Sequence, residues 1–342
     1  MSAHEDESKL AAMGPSQAVL AASVAHRFHV EGRSKIQIAE EFGVSRFKVA
    51  RLLESARAQG LVRIEISGPG PLDVGLSDEL RSAYGLRSAL VLAEDGTSAR
   101  SGDLELRDRL GTAAADLLTE IVRPHDVLGL AWGRTVNVMT EALHRLPKCS
   151  VVQLCGVYSR MNMRDSSVDT VRKVAAISGG AAYPIYAPLV MPDRRTADTL
   201  RRQPGISESF EQFDSVTKAV VAIGAWQPGQ STVYDVLDER ERKALAATGV
   251  AAELSAHLFD VDGRVLATGL SHHVLAIGTD QLRRIPEVIA LAGGRAKAAA
   301  IDAVLRSGVV TTVITDIDAA GLLLASANRN PLSHRALERT AP

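Results

Sequence analysis

The sequence predicts an α/β protein in two parts: a small N-terminal (winged) helix-turn-helix, followed by a large Rossmann-like α/β domain. Three observations predict it. Residues 34–59 have the spacing of two short helices around a glycine turn. Ser67-Gly68-Pro69-Gly70-Pro71 is the clearest linker in the chain. Beyond it, short apolar runs alternate with amphipathic helical stretches, the pattern of a mostly parallel sheet covered on both faces. The 342 residues suit one small domain plus one large one better than a single core.

Composition narrows the function classes. Hydrophobic residues make up 46% and charged residues 23%, as in an ordinary folded protein. The formal net charge of −1 means that any contact with a polyanion must come from a local basic patch. Two cysteines, Cys149 and Cys155, are too few for a disulfide scaffold or a four-cysteine zinc site, and read as buried thiols in a reducing compartment. The polar start, with Glu5, Asp6 and Glu7, is no secretory signal, and charge or glycine breaks every apolar run before about 18 residues. A cytoplasmic protein with no membrane partner is expected.

In chain order, residues 1–15 read as a tail, with Ser16 as the N-cap of a first helix whose apolar face includes Val19, Leu20, Val24 and Phe28. That helix should stop near Gly32. A short helix from Ser34 to Phe42, a turn at Gly43-Val44-Ser45 and a longer helix from Ser45 to about Gln59 follow. Gly60 ends the last of these, and Leu61–Ile66 alternates like a wing strand. Residues 16–66 thus form the first unit, 67–71 the linker and 72–328 the large domain, with 329–342 a frayed tail. Strands are expected at 89–92, 127–131, 151–154, 182–186, 219–223, 274–277, 288–292 and 312–315, and helices at 104–121 and 295–306 among others.

The first unit meets the physical requirements of a DNA-reading element. Ala39 is small where two helices cross, Gly43 supplies a positive φ for the tight turn, and Val44 plugs the angle between the helices. Ser45 caps the second helix. Val49, Leu52 and Leu53 then face inward, leaving Arg46, Lys48 and Arg51 outward at the start of a helix sized for a major groove. Residues 16–66 hold eight Lys/Arg against five Asp/Glu, which favours phosphate contact.

In the large domain, two glycine-bearing turns leave a strand and enter a helix. One is Gly129-Leu130-Ala131-Trp132-Gly133-Arg134-Thr135; the other is Ala292-Gly293-Gly294-Arg295-Ala296-Lys297. Helix-start N–H groups beside Arg134, Thr135 or the Lys297 ammonium suit an anion. Any tight strand-to-helix connection also needs a glycine and a cap, so either turn alone is equally a packing device. Two of them in one open sheet point to a site, because ligands gather at such strand ends. Neither turn is a dinucleotide fingerprint or a phosphate-binding loop of the G-K-[ST] kind, and no cofactor is expected. Asp260-Val261-Asp262-Gly263 looks like a hairpin turn, and His272-His273 lacks a third ligand at metal spacing, so no metal is expected. Glu253 and Asp260 are candidates for sugar hydroxyls. No compact acid/base set marks a catalytic residue.

The chain resembles the SorC family of bacterial transcription regulators. The resemblance spans about residues 18–325 and rests on four features: the helix-turn-helix closing in Ala56-Arg-Ala-Gln-Gly-Leu-Val-Arg-Ile64, Trp132–Thr135, Tyr183-Pro-Ile-Tyr-Ala-Pro188, and Ala292-Gly293-Gly294 with Lys297. It implies a C-terminal domain like the sugar-phosphate isomerases and deaminases, a sugar, polyol or sugar phosphate as effector, and homodimers or homotetramers on operator DNA. Carried over residue by residue, the Gly133-Arg134-Thr135 turn and Lys297 would hold the phosphate and Glu253 would sit near the hydroxyls, with Gly293 and Gly294 also counted among the effector-binding residues. Two departures bear on which sugar it is: Cys155-Gly156-Val157 where the family often has an Asn-Gly-Gly-like turn, and Ala252-Glu253 where it has Gly-Asp.

Overall fold

The computed structural model describes residues 14–62, 71–93, 102–157 and 167–330. The chain separates into two compact units, 1–66 and 67–342.

The first unit is three helices: α1 (Pro15–His29), α2 (Lys35–Glu41) and α3 (Arg46–Ala58). α1 begins one residue before the expected cap, because Pro15 takes the first helical position and Gly14 the cap. Ser34 and Gln37 form a reciprocal capping box on α2, and the Ser45 hydroxyl accepts the Lys48 N–H at 3.2 Å on α3. Gly43 has φ +62°. Ala21, Val24, Ala25, Ile38, Ala39, Val49, Leu53 and Ala56 make the core, with Val44 packed against it. Leu61 and Val62 are not in a strand, and the rest of the expected wing, from Arg63 on, lies outside the described residues, as do linker residues 67–70.

The second unit opens with α4 (Val74–Tyr84), β1 (Ser88–Leu92), α5 (Asp103–Ile121), β2 (Val127–Leu130), α6 (Arg134–Ala142), β3 (Ser150–Gln153), α7 (Ser167–Ser178) and β4 (Ala182–Tyr183). It continues with α8 (Arg194–Arg201), α9 (Ser207–Glu211), β5 (Lys218–Ala225), α10 (Thr232–Val236), α11 (Glu239–Ala246), β6 (Ala252–Leu254) and β7 (His257–Phe259). It ends with α12 (Thr279–Arg284), β8 (Glu287–Leu291), α13 (Ala298–Arg306), β9 (Thr312–Asp316) and α14 (Ile317–Arg329). Seven strands form a parallel sheet in the order β1-β9-β8-β5-β2-β3-β4.

Alternate strand residues face opposite cores. Val220, Ile289 and Ile314 pack with α5, α6 and α7, whereas Ala219, Val221, Val288 and Val313 pack with α13 and α14. Burial on both faces explains why the strands read as continuous apolar runs.

Three expectations change. The run at 274–277 is buried but joins no sheet: it makes single bridges, Val274 to Val190 and Ala276 to Cys155. An apolar run signals burial, whichever structure buries it. The strand at 182–186 stops at Tyr183, since Pro184 has no N–H for a ladder. The helix expected from Arg295 begins as a 3-10 turn, Arg295–Lys297, before α13. A β6–β7 hairpin was also not foreseen: β6 pairs antiparallel with the end of β5, and a two-residue turn, Ser255-Ala256, both at positive φ (50° and 65°), joins β6 to β7. No helix among the described residues is long and apolar enough to cross a membrane.

Candidate effector cleft and DNA-reading helix

β2 and β5 are neighbours, yet β3 follows β2 on one side while β8 follows β5 on the other. Chain order reverses between them, and an open α/β sheet gathers ligands at the carboxyl ends of such strands. A cleft partly open to solvent lies there. Its walls include Gly133, Arg134 and Thr135 after β2, Ala222–Gly224 of β5, Gln230–Thr232 entering α10, Glu253 and Ser255 of the hairpin, Arg107 of α5, and Lys297.

Five of the seven expected effector residues meet there: Gly133, Arg134, Thr135, Glu253 and Lys297. Gly293 and Gly294 do not line it. A Cβ on Gly293 would fall 2.7 Å from Asp316 Oδ1, and Gly294, at φ +89°, donates its N–H to the same oxygen at 2.6 Å. This tie fixes the turn whose last residue, Lys297, reaches the cleft. Asp260 is also elsewhere, accepting the N–H groups of Asp262 and Arg264 within its own turn.

The electrostatics are lopsided: three cations, Arg107, Arg134 and Lys297, face one carboxylate, Glu253. Lys297 donates to the Ile223 carbonyl at 2.9 Å, which uses one of its three N–H groups. Burial, and then the Arg134 and Arg107 guanidinium groups, bring it down to about 8. Arg134 donates to the Gly229 carbonyl. Burial, and then Arg134, lower Arg107 as well. Glu253 accepts the Ala256 N–H at 2.7 Å and the Ser231 hydroxyl at 3.2 Å. Burial nonetheless pushes its carboxyl up to about 6, against those bonds and the Lys297 charge. The Ser255 hydroxyl is buried at this wall with no hydrogen-bond partner among the described residues.

Sequence reasoning missed Arg107, Ser231 and Ser255. Arg107 is one of two arginines in α5, and nothing local marks it. Ser231 did leave a signal: Pro228-Gly229-Gln230-Ser231-Thr232 is a third strand-to-helix connection, with Ser231 capping α10.

Gly133 serves packing before ligand approach. Its φ of 176° is ordinary extended backbone, but a Cβ there would lie 2.7 Å from the Ala222 Cβ. Gly133→Ala is therefore expected to push the start of α6 off β5, costing about 1–3 kcal/mol in a denaturant melt. Adding Ala222→Gly should recover effector affinity in the double variant. An unchanged melt for the single variant would show that α6 shifts freely.

In the first unit, Ser45, Arg46, Lys48 and Arg51 are all exposed on α3. Arg27 and Arg33 share Glu31 and Glu41 in an ion-pair cluster, whereas Arg46, Lys48 and Arg51 make no ion pair among the described residues. The uncompensated charge of this unit thus includes the helix expected to read DNA.

Fold and cleft together define a switch-point α/β ligand-binding domain joined to a helix-turn-helix. Residues 72–325 match the model of the family described as "Putative sugar-binding domain", and the chain belongs to that family. It is 29% identical over 307 residues to the uncharacterized transcriptional regulator YjhU of Escherichia coli K12, covering 87% of this chain and 92% of that one. To the erythritol catabolism regulatory protein EryD of Brucella abortus it is 27% identical over 314 residues, covering 90% and 97%. The full-length sorbitol operon regulator SorC of Klebsiella pneumoniae has the same fold, with a TM-score of 0.69 at 24% identity over 90% of this chain and 99% of that one.

Proposed function

We propose that the chain is a DNA-binding transcription regulator of carbohydrate metabolism, controlled by a phosphorylated sugar or polyol bound in the switch-point cleft. The excess of cations there carries the phosphorylated reading: Arg107, Arg134, Lys297 and the start of α6 offer donors for an anionic group, while Glu253 and Ser255 offer partners for hydroxyls. The regulator class follows from the helix-turn-helix and from relatives matched along nearly their whole length. Binding rather than turnover is the reading that the regulator relatives support.

Control follows if the effector binds two quaternary arrangements of a homodimer or homotetramer unequally, by about 1–3 kcal/mol. A small rotation then mismatches two recognition helices to successive major grooves. The test is fluorescence anisotropy on DNA from upstream of the chain's own gene, with a panel of sugars, polyols and their phosphates at fixed salt. One phosphorylated compound should change DNA binding, and its unphosphorylated parent should not. Equal responses to both would remove the phosphate from the reading, and turnover of any compound would replace it with an enzyme.

The cleft also sets a pH dependence. A phosphate binds the protonated form of Lys297, and free Lys297 titrates at about 8. Effector affinity should therefore hold through pH 7 and fall up to about tenfold per pH unit above 8. Lys297→Arg, whose guanidinium stays charged, should abolish that alkaline fall. A profile identical in the two proteins would assign the titration to another group.

A further inference from the structure

Phe47 is the one exposed phenylalanine of six, at 67% exposure on the first turn of α3. The other five are at least half-buried. An aromatic ring in water is unfavourable, and its position says what covers it. Phe47 follows Arg46 directly, and the Arg46 guanidinium lies 4.9 Å from its ring centre. Exposed Lys48 is on the same helix, and Lys35, Arg51 and Arg57 stand with Phe47 on one groove against a single acid, Glu54.

We propose that Phe47 reads thymine: its ring packs against C5-methyl groups in the major groove, beside the basic side chains of α3 that draw the helix to the DNA. The inference rests on the DNA-binding reading and names a specificity residue within it. The first turn of a recognition helix is the part that reaches base edges. A phenyl ring has no hydrogen-bonding group, and thymine alone among the four bases places a methyl in that groove. The same ring would bury the N4–H donor of cytosine unpaired. A second copy is a poor occupant, because a two-fold contact centred here would bring Arg46, Lys48 and Arg51 against their own images.

The test starts from duplexes that the full-length chain enriches from a random-sequence pool. Thymine is replaced by deoxyuridine one position at a time, which removes the methyl and keeps base pairing. One thymine per half-site should then weaken wild-type binding about fourfold, the effect of one methyl-sized group left in water, and the paired positions together about fifteenfold. Phe47→Ala should bind the thymine duplex that much more weakly and no longer distinguish it from the deoxyuridine duplex. Phe47→Leu should keep part of the discrimination. An enriched sequence with no methyl-sensitive position, or full sensitivity retained by Phe47→Ala, overturns the proposal and leaves the DNA-binding reading standing. A changed oligomer mass for Phe47→Ala, with methyl sensitivity unaltered, assigns the ring to an interface between copies. Failure of the wild type to enrich any sequence overturns both.

Discussion

Lys297→Met should abolish the response to a phosphorylated effector while leaving DNA binding intact. Lys297 is the most buried cation of the cleft, held by a hydrogen bond to the Ile223 carbonyl at 2.9 Å and within the fields of Arg134 and Arg107. Methionine keeps most of the volume and removes the charge. Taking one partner from a desolvated charge pair costs about 2–5 kcal/mol, about thirtyfold or more in affinity. Calorimetric titration of the wild type and variant with the active compound measures this directly. Thermal stability is expected to hold or rise, because the uncompensated positive charge of the empty cleft falls. A variant that binds effector normally would remove Lys297 from the site, and the phosphate reading would then rest on Arg107 and Arg134 alone.

Arg46→Ala or Arg51→Ala should produce the opposite phenotype. Both residues are exposed on α3, and neither makes an ion pair among the described residues, so each is available to a ligand. A lost base-edge contact costs about 1–3 kcal/mol, and the proposed homodimer would lose it twice. Operator affinity should fall at least about thirtyfold, with effector titration of the free protein unchanged. The two contacts are separable by salt. Losing a phosphate contact lowers the slope of log affinity against log salt by about one per site and weakens all sequences alike, whereas losing a base contact relaxes one position of the operator. If both variants kept wild-type operator affinity, the reading helix would have to be another one.

The helix-turn-helix was legible because its signals are local. Gly43 must supply a positive φ, Ser34 and Ser45 must cap, and Ala39, Val49 and Leu53 must fill one small core, all within 25 consecutive residues. The parallel sheet was legible through runs buried on both faces. The turns that carry Arg134, Thr135 and Lys297 were legible because strand-to-helix turns with glycine have a recognisable form.

Tertiary structure decided the rest. Strand order puts β5 beside β2, and only that adjacency brings Arg107, Ser231, Glu253 and Lys297 to one cleft. It also decided that Gly293 and Gly294 serve Asp316 rather than the cleft, and that the 274–277 run is a buried connection instead of a strand. Spacing along the chain reports which face of an element is buried and where it turns. Which elements share that burial, and hence which charges meet, is set by long-range packing that no local pattern records.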